Sequence, residues 1–219
     1  MSEQFDLMFV SKQPQPKKPQ ALVVLLHGVG GNETNLVDLL ADASPDTLVV
    51  MPRGPMAMGA GQYGWFRVNF TSTGPVINEA EAEQSRQTLL KFVAQLQSAY
   101  GISAEKTVIA GFSQGGILSA SVGLSAPHLV AGFGILSGRI LPEIKPHVAE
   151  KAQLAHLCAF IGHGEYDRTL PVMWAHRSDE VLQELGVKHQ TRLYPMDHGI
   201  SATIQADFSC WVHDIASGV

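Results

Sequence analysis

The sequence is poor in features that would each mark a class of function. It has two cysteines in 219 residues, Cys158 and Cys210. They form no C-x-x-C pair, so neither a zinc knuckle nor a dithiol redox motif is present. Both fall in apolar segments, which predicts buried free thiols rather than a disulfide. Nine histidines contain no H-E-x-x-H or similar ligand spacing. Metal-assisted hydrolysis is therefore disfavoured, and no metal or other cofactor is expected. Only 16% of residues are charged, the net charge is −5, and the basic residues are scattered apart from Lys17-Lys18 in a Pro/Gln-rich stretch. That pattern argues against a nucleic-acid partner. No apolar run approaches the ~18 residues of a membrane span, so stable membrane insertion is not expected. The N-terminal MSEQFDLMFVSKQ lacks the basic and apolar regions of a signal peptide. A cytoplasmic protein is the default expectation. Oligomeric state is not fixed by these features, and a homodimer stays open.

What is present is alternation. Short β-rich apolar runs fall at 5–11, 21–28, 47–54, 107–112, 130–138, 156–164 and 189–196. Between them, helical patterns fall at about 32–43 (with Asn32 or Thr34 as cap), 79–99, 114–125, 171–185 and 201–216. Gly101, Gly186 and Gly218 stand where glycines end helices. Runs such as LVVLL are apolar without alternation, as in parallel strands covered on both faces. The order predicts a doubly wound, mostly parallel α/β sheet of about seven strands. The first strand joins the second through SKQPQPKKPQ, too short for a helical crossover, which predicts an antiparallel strand at the sheet edge. With no repeat and no linker, the expectation is a single domain over 1–219. The glycine-rich, aromatic stretch 51–75 lacks periodicity and reads as a long loop, a feature that is usually functional or disordered.

The chemistry concentrates at VIAGFSQGGILS. Gly111-Phe112-Ser113-Gln114-Gly115 fits G-x-S-x-G, with a strand before it and a helix after it. In a nucleophile elbow this turn lifts the serine hydroxyl above the sheet, and the helix N-terminus favours a developing oxyanion. The bland alternative is a serine that merely caps the helix. A serine needs a base, and the base needs an orienting acid, in the chain order Ser, Asp or Glu, His. Asp167 in FIGHGEYDRTLP and His198 in RLYPMDHGIS follow predicted strands, at the sheet edge where Ser113 lies. Asp197 adjoins His198 and is a poor orienter, and Glu165 is an alternative acid. His27 and His163 also end strands and read as structural. Two N–H groups would form the oxyanion hole: Gln114 after the nucleophile, and Val29 in the glycine-rich turn LLHGVGGNETN.

LHGVGGNE, GFSQGG, LSGRILP, GHGEYDRTLP and DHGIS occur in the order seen in the phospholipase/carboxylesterase family of α/β-hydrolases. The chain resembles these bacterial serine esterases, relatives of the acyl-protein thioesterases, from about residue 20 onward. The resemblance implies Ser113 as nucleophile, Asp167 as acid and His198 as base, with Val29 and Gln114 as backbone donors. Many members carry an acidic residue after a Trp-aromatic pair, whereas here Trp65-Phe66 precedes Arg67. Met56, Met58, Trp65 and Phe66 are candidates to line an acyl site, or else a satellite cluster under the loop. Arg67 reads as a surface residue. The expected function is hydrolysis of a carboxylic ester through an acyl-enzyme, with a small acyl ester as substrate and an acyl thioester as the runner-up. A lysophospholipid, or a non-catalytic binding role, is the alternative.

Overall fold

The computed structural model describes residues 5–71 and 74–217. Gly218, expected to end the last helix, lies outside them. The strands in chain order are β1 (Phe9–Ser11), β2 (Ala21–Leu26), β3 (Thr47–Pro52), β4 (Met56–Gly59), β5 (Gln62–Gly64), β6 (Val68–Thr71), β7 (Gly74–Ile77), β8 (Thr107–Phe112), β9 (Gly132–Leu136), β10 (Cys158–Gly164) and β11 (Lys188–Tyr194). The helices are α1 (Glu79–Tyr100), α2 (Gln114–Ser125), α3 (Lys151–Leu154), α4 (Met173–Leu185) and α5 (Ala202–Ser217). Seven strands form one sheet in the order β1-β3-β2-β8-β9-β10-β11. Only β1 runs antiparallel, pairing with β3 at the edge.

The apolar runs behave as their patterns require. On β2, Leu22, Val24 and Leu26 enter one core cluster and Val23 and Leu25 enter the other, so both faces of the sheet are covered. Residues from α1, α2 and α4 pack on the first face, and those from α5 on the second. Gly101 and Gly186 end α1 and α4 with left-handed backbone (φ 66° and 74°), which only glycine adopts without steric cost.

Three expectations are corrected. Residues 33–42 form successive turns rather than a helix, with Asn35 N–H bonding the Asn32 carbonyl and Leu39 N–H the Leu36 carbonyl. The Asn32 carboxamide oxygen accepts the Thr34 N–H at 2.9 Å as an N-cap would, but the bonds that follow, Val37 N–H to the Thr34 carbonyl and Ala41 N–H to the Asp38 carbonyl, close three-residue turns rather than α-helical ones. The stretch read as one loop at 51–75 instead carries two small antiparallel hairpins, β4–β5 and β6–β7. Both cysteines are free, but Cys158 is half-buried and Cys210 exposed. Cys210 falls between the buried positions Phe208, Trp211 and Val212 on α5, on the helix face turned to solvent.

Candidate active site

The parallel strands deliver their carboxyl ends to one edge. Ser113 follows β8, Asp167 and His198 lie three and four residues past β10 and β11, and Val29 lies three past β2. Ser113 is at φ 53°, ψ −114°, a conformation costing about 1–3 kcal/mol for a non-glycine residue. The elbow is tight. A methyl group on Gly111 would stand 2.6 Å from the Leu26 carbonyl oxygen, and one on Gly115 would come closer still. Ser113 occupies the N-cap position of α2, yet its side chain makes no capping hydrogen bond. Its Oγ instead lies 3.1 Å from Nε2 of His198. Nδ1 of His198 lies 2.7 Å from Oδ2 of Asp167.

The carboxylate is fixed from several sides. Its Oδ1 accepts the N–H groups of Thr169 and Leu170 at 2.9 and 2.7 Å. Buried His163 stands 3.3 Å from Oδ2 and donates from Nε2 to the Leu170 carbonyl. Glu165 is exposed and takes no part in these contacts. Asp197 accepts from the N–H of Arg168 and of His198 and pairs with the Arg168 guanidinium. These bonds, the Arg168 N–H foremost, hold its carboxyl at about 2. Asp197 thus pins the loop that carries His198 without reaching the imidazole. Phe112 stacks obliquely on the His198 ring, centroids 4.9 Å apart.

Gln114 N–H opens α2, whose first donor into the helical ladder is Ile117, and it meets no acceptor among the described residues. The Val29 N–H meets no acceptor among the described residues. His27 is buried and ties the adjacent turn together. Its Nδ1–H donates to the Gly28 carbonyl and its Nε2 accepts the Gly54 N–H. Burial pulls its pKa below the usual value for histidine, against the opposing Gly28 hydrogen bond.

A cavity of about 180 Å³ opens at Ser113, walled by Phe66, Val68, Ile117 and Leu170 among others. A second, shallower depression of about 450 Å³ adjoins it, sharing Gly28, Val29, Phe112 and His198 and walled further by Gly30, Asn35, Leu36 and Ile200. Of the four residues expected to line an acyl site, only Phe66 reaches either. Trp65 is fully buried, its indole N–H donating to the His27 carbonyl. The β4–β5 hairpin carries Met56 and Met58 away, and Met58 packs against Gly64. Arg67 is exposed and pairs with Glu81.

Three contributors escaped sequence reasoning. The Gln114 side chain locks the loop beside the cavity, accepting the Trp65 N–H and donating to the Phe66 carbonyl, both at 2.7 Å. Ser137, at φ 47°, donates from Oγ to the Gly199 carbonyl and so braces the His198 loop. Arg139 lines the cavity itself. Ser137 and Arg139 lie one and three residues past β9, and that position on the carboxyl edge of the sheet was the available signal.

The sheet order, the single antiparallel edge strand and the strand-to-helix turn at Ser113 define an α/β-hydrolase. A profile of the Phospholipase/Carboxylesterase family matches residues 9–211, and the chain belongs to that family. It is a hydrolase of the class that acts on ester and thioester bonds. Esterase YpfH of Escherichia coli is 30% identical over 183 residues, covering 81% of this chain and 75% of that protein. Acyl-protein thioesterase 1 of Emericella nidulans is 26% identical over 196 residues, 81% of this chain and 82% of that one. Among solved structures, esterase PE8 superposes with a TM-score of 0.80 at 24% identity, covering 95% of this chain and 98% of that one. The Bacillus cereus carboxylesterase also reaches 0.80, at 19% identity, over 95% and 94% of the two chains. Both support the fold.

Proposed function

We propose that the protein is a serine carboxylesterase working through an acyl-enzyme, with Ser113 as nucleophile, His198 as general base and Asp167 as its orienting acid. The observation that carries this reading is the pair of contacts made by one imidazole, 3.1 Å to the Ser113 hydroxyl and 2.7 Å to the Asp167 carboxylate. His198 Nε2 takes the hydroxyl proton as Oγ attacks the ester carbonyl carbon. Asp167 accepts the Nδ1–H, fixes the tautomer and stabilises the imidazolium. The N–H groups of Val29 and Gln114 receive the oxyanion, a contribution that is typically 10²–10³-fold per donor. The imidazolium then protonates the leaving alcohol or thiol. Water, deprotonated by the same nitrogen, adds to the acyl carbon and frees Ser113.

The two hollows divide the substrate. The leaving group must sit where His198 can protonate it, which favours the adjoining depression for the alcohol or thiol. The acyl group then occupies the apolar cavity at Ser113. At about 180 Å³ that cavity falls below the ~300–1,000 Å³ of drug-sized sites, which favours short acyl groups. A small soluble ester or thioester is the substrate class.

Labelling with a fluorophosphonate probe tests the reading. The expected result is one adduct, mapped by tandem mass spectrometry to Ser113, and a Ser113→Ala protein that folds normally, takes no label and has no turnover. Wild-type activity in that variant, or an adduct elsewhere, overturns it.

A further inference from the structure

Arg139 is out of place in an ordinary apolar acyl pocket. It is 6% exposed, and it is the one arginine or lysine among the described residues that line the cavity at Ser113. Its Nε is buried and donates to nothing among the described residues. The ion pairs there engage Arg53, Arg67, Arg86, Arg168 and Arg192, and none engages Arg139. Its guanidinium carbon lies 4.2 Å from the centroid of the Trp174 ring, so one partner of the cation is an aromatic face that accepts no in-plane hydrogen bond. Burial lowers its pKa, with Glu143 acting against that shift from beyond ion-pair distance. A guanidinium nevertheless stays charged. Burying an uncompensated cation is costly, and the fork of N–H donors matches one chemistry best, a planar carboxylate held by two parallel hydrogen bonds.

We propose that Arg139 determines specificity by binding a carboxylate at the far end of the acyl group, and that preferred substrates are half-esters of short dicarboxylic acids. This rests on the reading of Ser113 as nucleophile for its direction, because that reading puts the acyl group in the Arg139 cavity. The apolar walls, Phe66, Val68, Ile117 and Leu170, cover the methylenes between the ester and the anionic end. Ser113 Oγ adds to the acyl carbon, the ester C–O bond breaks, and the alcohol leaves with a proton from His198; water then adds to the acyl-enzyme, the acyl–Oγ bond breaks, and Oγ regains its proton. The products are a dicarboxylate and an alcohol, and Arg139 exchanges no proton in the process.

The test compares monomethyl glutarate with methyl pentanoate, similar in length and differing in the terminal charge, by pH-stat titration. The wild-type kcat/KM is expected to favour the charged ester by roughly ten- to a hundredfold. Arg139→Gln is expected to lower kcat/KM for monomethyl glutarate roughly ten- to a hundredfold more than for methyl pentanoate, so that the charge preference is lost. Arg139→Lys keeps part of it, since an ammonium supplies charge without the fork. Equal wild-type rates, a preference for the neutral ester, or an equal loss on both esters in Arg139→Gln overturns the proposal. A charge preference confined to 3-acetoxypropanoate, whose carboxylate is on the alcohol, overturns the acyl-side assignment. Should Arg139→Gln fold poorly, calorimetric titration of glutarate and of pentanoate into Ser113→Ala protein decides. Tighter binding of glutarate by about tenfold or more supports the proposal, and equal binding overturns it. Turnover persisting in Ser113→Ala overturns the nucleophile reading alone, because the binding comparison needs no catalysis.

Discussion

Asp167 and His198, 31 residues apart in the chain, meet at 2.7 Å between Oδ2 and Nδ1. The other carboxylate oxygen is held by two backbone N–H groups, so the acid cannot swing away from the imidazole. In the proposed mechanism this contact selects the tautomer that leaves Nε2 free to accept the serine proton. Asp167→Asn keeps the shape and reverses the hydrogen-bond demand. The expected loss in kcat is roughly three to four orders of magnitude, with KM changed little. Steady-state kinetics on a short-chain p-nitrophenyl ester measures both. A loss below about tenfold would remove Asp167 from the triad.

The Gln114 side chain offers a second, separable prediction. Its amide spans the Trp65 N–H and the Phe66 carbonyl, both buried, whereas its own backbone N–H is the proposed oxyanion donor. Gln114→Ala strips the first role and keeps the second. Leaving two buried backbone groups without partners costs about 1–3 kcal/mol for each group left unsatisfied. Urea denaturation should report a clear loss of stability, with the cavity wall at Phe66 loosened and KM raised more than kcat lowered. A fall in kcat alone, with unchanged stability, would contradict this division.

Much of this arrangement was legible beforehand because it depends on local rules. Unalternating apolar runs such as LVVLL require a sheet covered on both sides, and the placing of Ser113, Asp167 and His198 after three parallel strands puts them on one edge. The failures have physical causes too. At 33–42 the spacing of Leu36, Leu39 and Leu40 suits a helix, yet the chain runs through successive turns closed by bonds to the carbonyl three residues back, a difference that the apolar spacing does not reveal. Trp65, Met56 and Met58 were sorted by chemistry, while their positions follow from hairpins whose strands are three or four residues long. Arg139 was invisible for a different reason. A charged residue after a strand reads as surface, whereas here Trp174, on a helix 35 positions later, packs against the guanidinium and the residue is buried.

The elbow glycines make a stability prediction that does not involve the chemistry. Gly115 faces Leu26 and His27 backbone, and an added methyl carbon would lie 2.6 Å from the Leu26 carbonyl carbon and 2.8 Å from the His27 oxygen. Backbone atoms of a central strand cannot step aside as a flexible side chain can. Gly115→Ala is therefore expected to destabilise the fold by about 1–3 kcal/mol through overpacking, and to shift the Gln114 N–H away from Ser113. A denaturant midpoint equal to wild type would mean that α2 has room to move, and that the close approach is not what requires glycine there.

His163 and His27 give the last prediction, a pH dependence with a definite sign. Both are buried, and burial holds each pKa below the usual value for histidine. For His163 the Leu170 hydrogen bond and the Asp167 charge oppose that shift, and for His27 the Gly28 bond and Glu33 do. Unfolded, each takes up a proton near pH 6.5, while the folded protein waits for a lower pH. Between those points the unfolded chain binds more protons, so stability falls as pH drops below about 6.5 and is flat above it with respect to these groups. The slope approaches about 1.4 kcal/mol per pH unit for each histidine while only the unfolded state is protonated. Glu83, held by Arg86, and Asp197, held by Arg168, have pKa values of about 2, so their contributions are lost only well below this window. His163→Gln keeps a donor for the Leu170 carbonyl and removes one titrating group. The drop in Tm between about pH 7.5 and 5.5 should be smaller in that variant than in the wild type. An identical drop would mean that His163 already carries its proton in the folded state, paired with Asp167. The carboxylate that holds Nδ1 of His198 would then also be paired with the charged His163 rather than committed to one histidine.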